Sequence, residues 1–257
     1  METLTLPQAP EFVPPSSREL PEPFARAQPA VVERLPFRIR VARDEDALRK
    51  AVQIRHRAYA RHVPELAQGL RAPEHDDADQ DTMILLAESR LDGLPVGTIR
   101  VQSNRYRPLG VEHSVELPAR LQGESMVEAT RLAVAGGGAG RMVKAALIKA
   151  LYLHCLRAGI AWVVAGARPG LDRQYEALLM DDLFPGRTIQ LQHTGGIPHR
   201  IMALDVYGAY DRWHRAGHPL FHFMCGISHP DIDLGGTDVP AWQRLPMNRQ
   251  HAAFHPA

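Results

Sequence analysis

The sequence predicts an α+β domain built on a central mixed β-sheet flanked by helices, and three observations carry that expectation. Short apolar or alternating runs at Phe37–Ala42, Met83–Ala87, Val96–Val101 and Met126–Val134 read as strands. Met126–Val134 runs into Gly136-Gly-Gly-Ala-Gly140, then a helical stretch Arg141–Arg157 and a further strand Ile160–Val164. This strand–loop–helix–strand unit supplies the parallel step of a mixed sheet. Finally, 257 residues with 45% hydrophobic side chains suffice to bury a sizeable core.

The elements follow in order. Of 21 prolines, eight fall within residues 1–36, a stretch without helical or strand periodicity that reads as a disordered leader. In Phe37–Ala42 apolar and basic residues alternate, giving a strand with one exposed face. Asp44 or Asp46 can cap the helix Ala47–Arg61, whose Leu48, Ala51, Val52, Arg55 and Tyr59 share a face. A loop with the acidic residues Glu74, Asp76, Asp77, Asp79 and Asp81 comes next. Asp92-Gly93 then marks a hairpin turn. Beyond Val164 the pattern gives a short helix Leu171–Leu179, strands Thr188–Gln192 and Arg200–Val206, and a last helix Tyr207–Ala216 before a turn-rich, histidine-rich tail. The expected organisation is therefore a leader over 1–36, a catalytic domain over 37–206, and an extension over 207–257 that packs on the same domain. That extension is free to cover either the sheet edge or a substrate cleft.

Charge and composition narrow the function. Thirty basic against 29 acidic side chains leave a net charge of +1, so nothing global calls for nucleic acid or an anionic membrane surface. Two cysteines, Cys155 and Cys225, cannot form the dense disulfide framework of a small secreted domain. The N-terminus lacks a basic start followed by an apolar run. The most apolar stretch, Ala145–Ala167, is interrupted by Lys149, His154, Arg157 and Gly159, so no membrane span is expected. A cytoplasmic protein is the resulting expectation.

Chemistry concentrates in Glu128-Ala-Thr-Arg-Leu-Ala-Val134 and the loop behind it. A glycine-rich loop at a helix N-terminus offers free N–H groups to an anion and lets a phosphate approach the backbone. Arg141 and Lys144 oppose the helix dipole unless a phosphate or an acidic carrier docks there; otherwise they are solvated charges on a flexible connection. His214, His218 and His222 have helical spacing for a metal, but Gly217 and Pro219 break a helix there, so no metal site is expected. Cys155 lies mid-helix among apolar residues and reads as packing.

Taken together, Phe37 to Val206 resembles the GNAT acyltransferase fold. Within that superfamily, Glu128-x-x-Arg131-Leu-x-Val134 resembles the Glu-x-Ser/Thr-Arg strand of acyl-homoserine-lactone synthases and N-acyl amino acid synthases. Arg55-His-Arg-Ala-Tyr59, the acidic segment Glu74–Asp81 and Gly97-Thr-Ile-Arg100 resemble three further segments of those enzymes, in order.

The resemblance implies an N-acyltransferase. It would move an acyl group, long-chain by expectation, from acyl carrier protein or acyl-coenzyme A to the amine of an amino acid, with no permanently bound cofactor. It further implies Glu128 as base, Tyr175 as proton donor to the departing thiolate, and Arg55, Tyr59, Asp77, Arg100, Thr130 and Arg131 around the substrate. Val134, Gly138, Gly140, Arg141 and Lys144 would hold the donor. Ala135 stands where the family pattern has Arg or Gln before the glycines, which points to the single phosphate of a phosphopantetheine and to an acidic carrier protein as partner. The loop His62–Arg71 lacks the aromatic residues of the lactone synthases, which favours an ordinary amino acid as acceptor. The alternatives are a non-catalytic acyl-binding module, a lactone synthase, or a short-chain acetyltransferase. One geometric point stands out: in a regular strand Glu128 and Arg131 face opposite sides, and a β-bulge would bring them together.

Overall fold

The computed structural model describes residues 31–235; the leader up to residue 30 and the extension beyond residue 235 lie outside the described residues. Strands β1 (Val31–Val32) and β2 (Phe37–Val41) precede helix α1 (Glu45–Ala60) and a short α2 (Pro64–Gly69). After a 3₁₀ turn, His75–Ala78, come β3 (Thr82–Ser89), β4 (Pro95–Ser103) and β5 (Met126–Val134). Helix α3 (Gly140–Ala158) returns the chain to β6 (Trp162–Ala167), followed by α4 (Asp172–Glu176), β7 (Asp181–Asp182), β8 (Ile189–Gln190) and β9 (Pro198–Asp205). Helix α5 (Ala209–Arg215), a π-helical turn at His222–Gly226, β10 (Ile227–Ser228) and β11 (Ile232–Asp233) complete it.

The main sheet runs β11-β2-β3-β4-β5-β6-β9-β7, with β8 also on β9. Within it β5–β6 and β11–β2 are parallel and the other pairs antiparallel. Helix α3 covers one face: Val143, Leu147, Ala150 and Leu151 join Ile39, Leu85, Ile99 and Val127 in the main core. Helix α1 covers the other, where Ala47 and Ala51 meet Ile84 and Leu86. Burying a Val, Leu or Ile side chain contributes about 1.5–3 kcal/mol, and an Ala less, so these two layers fix the sheet. Asp44 caps α1 by accepting from the Ala47 N–H at 2.8 Å. Cys155 is fully buried in α3, and burial pushes its thiol pKa well up, as packing rather than reactivity requires.

Several elements differ from the sequence pattern. Helix α4 is shorter than Leu171–Leu179 because Leu179 takes a left-handed φ of 59° and turns the chain. Strand β8 keeps two residues of the expected five, and α2 forms within the stretch read as loop.

Residues 207–235 pack against the sheet and line no part of the cleft described below. Trp213 is buried, donates to the Leu178 carbonyl at 2.8 Å and meets Tyr152 edge to face. The buried Lys149 donates to the carbonyls of Phe223 (2.6 Å) and Ile227, with His229 Nδ1 at 2.9 Å. Strand β11 then closes the β2 edge of the sheet. Among the described residues no helix is long and apolar enough to cross a membrane.

Two irregularities make room for a site. Parallel pairing of β5 with β6 ends at Glu128↔Val164, and beyond it the two strands part. On the other side of β5, Arg100 pairs Thr130 but Thr98 pairs Ala133, so three residue steps oppose two. The extra residue is Arg131, with φ at +55°, and this bulge puts it on the α1 side of the sheet with Glu128 and Thr130.

Candidate active site

A cleft of about 330 Å³ opens where β5 and β6 part. Residues Ala129–Val134 form one wall and Gly166–Arg168 the other; α1 and α2 contribute Tyr59 and Leu66, α3 contributes Lys144 and Ile148, and α4 contributes Tyr175. The loop after β8 and the start of β9 add His193, Ile197 and His199. The lining is mostly apolar with a few polar groups converging on it, the make-up of a small-molecule site.

Beneath the cleft lies a buried ion network. Glu74 accepts from Arg131 through Nε at 2.8 Å and Nη2 at 2.6 Å, from Arg55 at 3.0 Å and from Arg100 at 3.3 Å. Asp77 takes Arg55 in a fork at 2.8 and 3.0 Å, and Arg100 at 3.4 Å. Arg55 and Asp77 side chains are wholly shielded from water. Arg100 also donates to the Thr130 hydroxyl at 3.0 Å. Burial opposes the charge on Glu74 and Asp77, but the guanidinium groups outweigh it and hold both carboxyls below their ordinary values. Burial likewise disfavours the Arg131 charge, and Glu74 with the Tyr59 hydroxyl raises its pKa nonetheless. Of this network Thr130 and Arg131 reach the cleft wall, together with Tyr59; Arg55, Asp77 and Arg100 stand behind them.

Glu128 lies off the cleft wall. Its carboxylate is 1% exposed, accepts from the Val111 N–H at 3.0 Å and has Oε1 3.2 Å from His193 Nε2. Arg131 Nη2 donates to the His193 carbonyl at 3.3 Å, so the bulge brings Glu128 and Arg131 to the same residue. Tyr175 lines the cleft with its ring against the core. Burial, with Tyr59 nearby, pushes its hydroxyl up to about 12, so it is a proton carrier at neutral pH.

The glycine loop forms an adjoining pocket lined by Val134, Gly136, Gly137, Gly140, Arg141 and Lys144, together with Arg61 and His62 from the end of α1. Gly138 is not on its wall. The Arg61 guanidinium lies against Gly136, in the space where a Cβ would stand, so this cation is at the glycine loop itself. Helix α3 starts here without a side-chain cap. Lys144 lines both this pocket and the cleft, hydrogen-bonds Gln174, and has its pKa lowered by burial.

Sequence reasoning passed over three residues that matter here, and named Glu74 only as part of the acidic run. Glu74 was legible as the Glu74-x-x-Asp77 pair: the Asp77 carboxylate accepts from the Glu74 N–H at 2.9 Å and closes the short turn between them. Arg61, His193 and His199 had no such signal, since only tertiary folding brings a helix end, an irregular loop and a strand start to one cavity. For metals, the described residues bring His75, Asp76 and Asp79 together, and Arg107 pairs with both aspartates. His218 Nε2 instead faces the Ala177 carbonyl at 2.6 Å, and His214 stacks on Tyr210.

A sheet that opens between two parallel strands, above a basic glycine loop at a helix start, defines a GNAT-type acyltransferase. Residues 50–205 match the model of the N-acyl amino acid synthase FeeM family, and the chain belongs to that family. The solved structure of FeeM, an N-acyl amino acid synthase from uncultured soil microbes, superposes with a TM-score of 0.53 at 16% identity, covering 73% of this chain and 97% of that one. A coenzyme A-dependent acyl-homoserine lactone synthase, BjaI, solved with S-adenosylmethionine and isopentyl-coenzyme A, gives a TM-score of 0.51 at 19% identity, covering 80% of this chain and 98% of that one. Both likenesses are of fold. No curated protein matches the chain by sequence.

Proposed function

We propose that this acyltransferase joins a long-chain acyl group, delivered as a thioester on acyl carrier protein, to the amine of an amino acid. The single observation that carries the reading is the continuity of two cavities through Lys144: a basic glycine pocket on one side, an apolar cleft on the other. A phosphopantetheine thioester has that polarity, with a phosphate at one end and an acyl chain at the other. Arg61, Arg141 and Lys144 supply the cations for its phosphate, and Arg61, the residue after α1, takes the place that Ala135 leaves without one. The exposed Met142 beside Arg141 suits a carrier surface that is acidic with an apolar spot.

The acyl chain lies along Leu66, Leu132, Ile148 and Leu178, and the carboxylate of the acceptor meets Arg131, which the Glu74 network holds in place. Val63 and Leu66, at the start of α2 and within it, line the cleft without an aromatic residue, which supports a small amino acid acceptor over a larger sulfonium substrate. Tyr175 protonates the departing thiolate. Glu128 acts through the His193 ring that it touches rather than on the substrate.

The test is to supply purified protein with an amino acid mixture and, in turn, long-chain acyl carrier protein, long-chain acyl-coenzyme A and acetyl-coenzyme A. Mass spectrometry is expected to find N-acyl amino acids, most rapidly from the carrier-bound donor. Product from acetyl-coenzyme A alone would overturn the long-chain reading, and no N-acyl product from any donor would overturn the reaction.

A further inference from the structure

Transfer to an amine needs a group that takes a proton from nitrogen, and three imidazoles line the cleft: His62, His193 and His199. His62 stands at the end shared with the glycine pocket, whose wall it also forms, on the side given above to the donor's phosphate. In His193 neither ring nitrogen is available: Nε2 faces the Glu128 carboxylate at 3.2 Å. Its Nδ1 is sealed off, without a hydrogen-bond partner among the described residues, against Gly110, where even a Cβ would come within 2.9 Å. His199 is different. Its Nδ1 lies 2.6 Å from the Ile197 carbonyl, and a carbonyl only accepts, so Nδ1 carries the hydrogen and Nε2 bears the lone pair. Among the described residues nothing bonds to that Nε2, nor is it sealed off as His193 Nδ1 is.

The ring reaches the cleft from β9 across β6, and a glycine permits this. Gly166 is a cleft residue, and a Cβ there would stand 3.3 Å from His199 Cδ2, the carbon next to Nε2, and collide with Leu191. The Cδ2–Nε2 edge of the ring therefore lies beside Gly166, a residue of the cleft wall.

We propose that His199 is the proton acceptor of the acyl transfer, a role that rests on the N-acyltransferase reading above. The neutral amine nitrogen attacks the thioester carbonyl carbon and forms the C–N bond. The nitrogen then gives one proton to His199 Nε2. As the C–S bond breaks, its electron pair goes to sulfur, which takes the Tyr175 hydroxyl proton. Return of the His199 proton to Tyr175 through solvent restores both groups, and the balance is amine plus thioester to amide plus thiol. Burial, and then His193, Arg168 and Arg131, lower the imidazole pKa against the Ile197 carbonyl, so the ring is neutral and basic at pH 7. Those three groups, from the loop after β8, the end of β6 and the β5 bulge, are the charged and titratable neighbours that act on it, and all are basic.

His199→Asn keeps an amide N–H where Nδ1 now donates to Ile197 and removes the base; His199→Gln places an amide at Nε2 instead. Both are expected to lower kcat by about 10²-fold or more. With saturating acceptor, wild-type kcat is expected to fall as pH drops below the ordinary imidazole value of 6.5, and both variants are expected to lose that limb. Variants that keep kcat within about threefold of wild type, or lose rate but keep the acidic limb, overturn the assignment. Wild-type protein without acyl transfer overturns the underlying reaction and this role together. If both variants fail to fold, folded wild type is treated with diethyl pyrocarbonate and its adducts mapped. Inactivation in step with His199 modification supports the role, and activity that survives modification of His199 overturns it.

Discussion

Glu74→Ala is expected to destabilise the protein by about 3–5 kcal/mol, the cost typical of breaking a buried ion network by removing one partner. Glu74 is the carboxylate shared by Arg55, Arg100 and Arg131, and these three side chains are 0%, 2% and 5% exposed. Without it Arg55 is left with Asp77, Arg100 with Asp77 and Asp76, and Arg131 loses its two-point carboxylate partner and keeps the His193 carbonyl and the Tyr59 hydroxyl. Chemical denaturation checks this as a lower midpoint with an unchanged slope. The same network sets a pH dependence. The folded-state pKa values of Glu74 and Asp77 are depressed, so the unfolded chain binds more protons as the solution is acidified. Their contribution is complete above the ordinary carboxylate range, roughly pH 4, and is lost as pH falls through the lower folded values. Glu74→Gln should flatten that acid limb, and a limb of unchanged depth would show that the network is not its source.

Tyr175→Phe is expected to reduce kcat by roughly 10²-fold while leaving folding stability nearly unchanged. The ring, which packs against the core, is kept; only the hydroxyl is removed. Because burial raises that hydroxyl to about 12, wild type should show no tyrosine limb in its rate profile at neutral or mildly alkaline pH. A thiolate that leaves easily needs less help from an acid. The loss should therefore shrink when the donor is an aryl thioester. An equal loss with alkyl and aryl donors would assign Tyr175 a positioning role instead.

Much of the fold was legible because its long elements announce themselves locally. The strand Met126–Val134 has the bounds its apolar run suggests, and the hairpin around Asp92-Gly93 and the helices α1 and α3 lie where periodicity puts them. The two-residue strands β7, β10 and β11 exist through tertiary pairing and have no pattern of their own. The site divides in the same way. Three of the charged segments, at Arg55, Arg100 and Arg131, meet in one network, and what joins them is Glu74, one acid in a run of five. Whether Glu128 and Arg131 share a side depends on one backbone angle at residue 131, which no alternation of residue types encodes. The placement of Glu128 behind His193 follows from the loop 191–195, whose position is set by Leu191 packing into the core around Val164 and Ile201. His199 likewise gains access to the cleft through a glycine on another strand.

The claim on which the rest depends is that the acyl thioester occupies the gap between β5 and β6. A carrier-bound acyl chain with a diazirine near its end, irradiated with the protein and mapped by mass spectrometry, tests this directly. Adducts are expected on cleft residues such as Leu132, Ile148 and Leu178, and are expected to diminish when unlabelled donor is added. Adducts confined to the outer surface, or spread over the chain regardless of competitor, would contradict it.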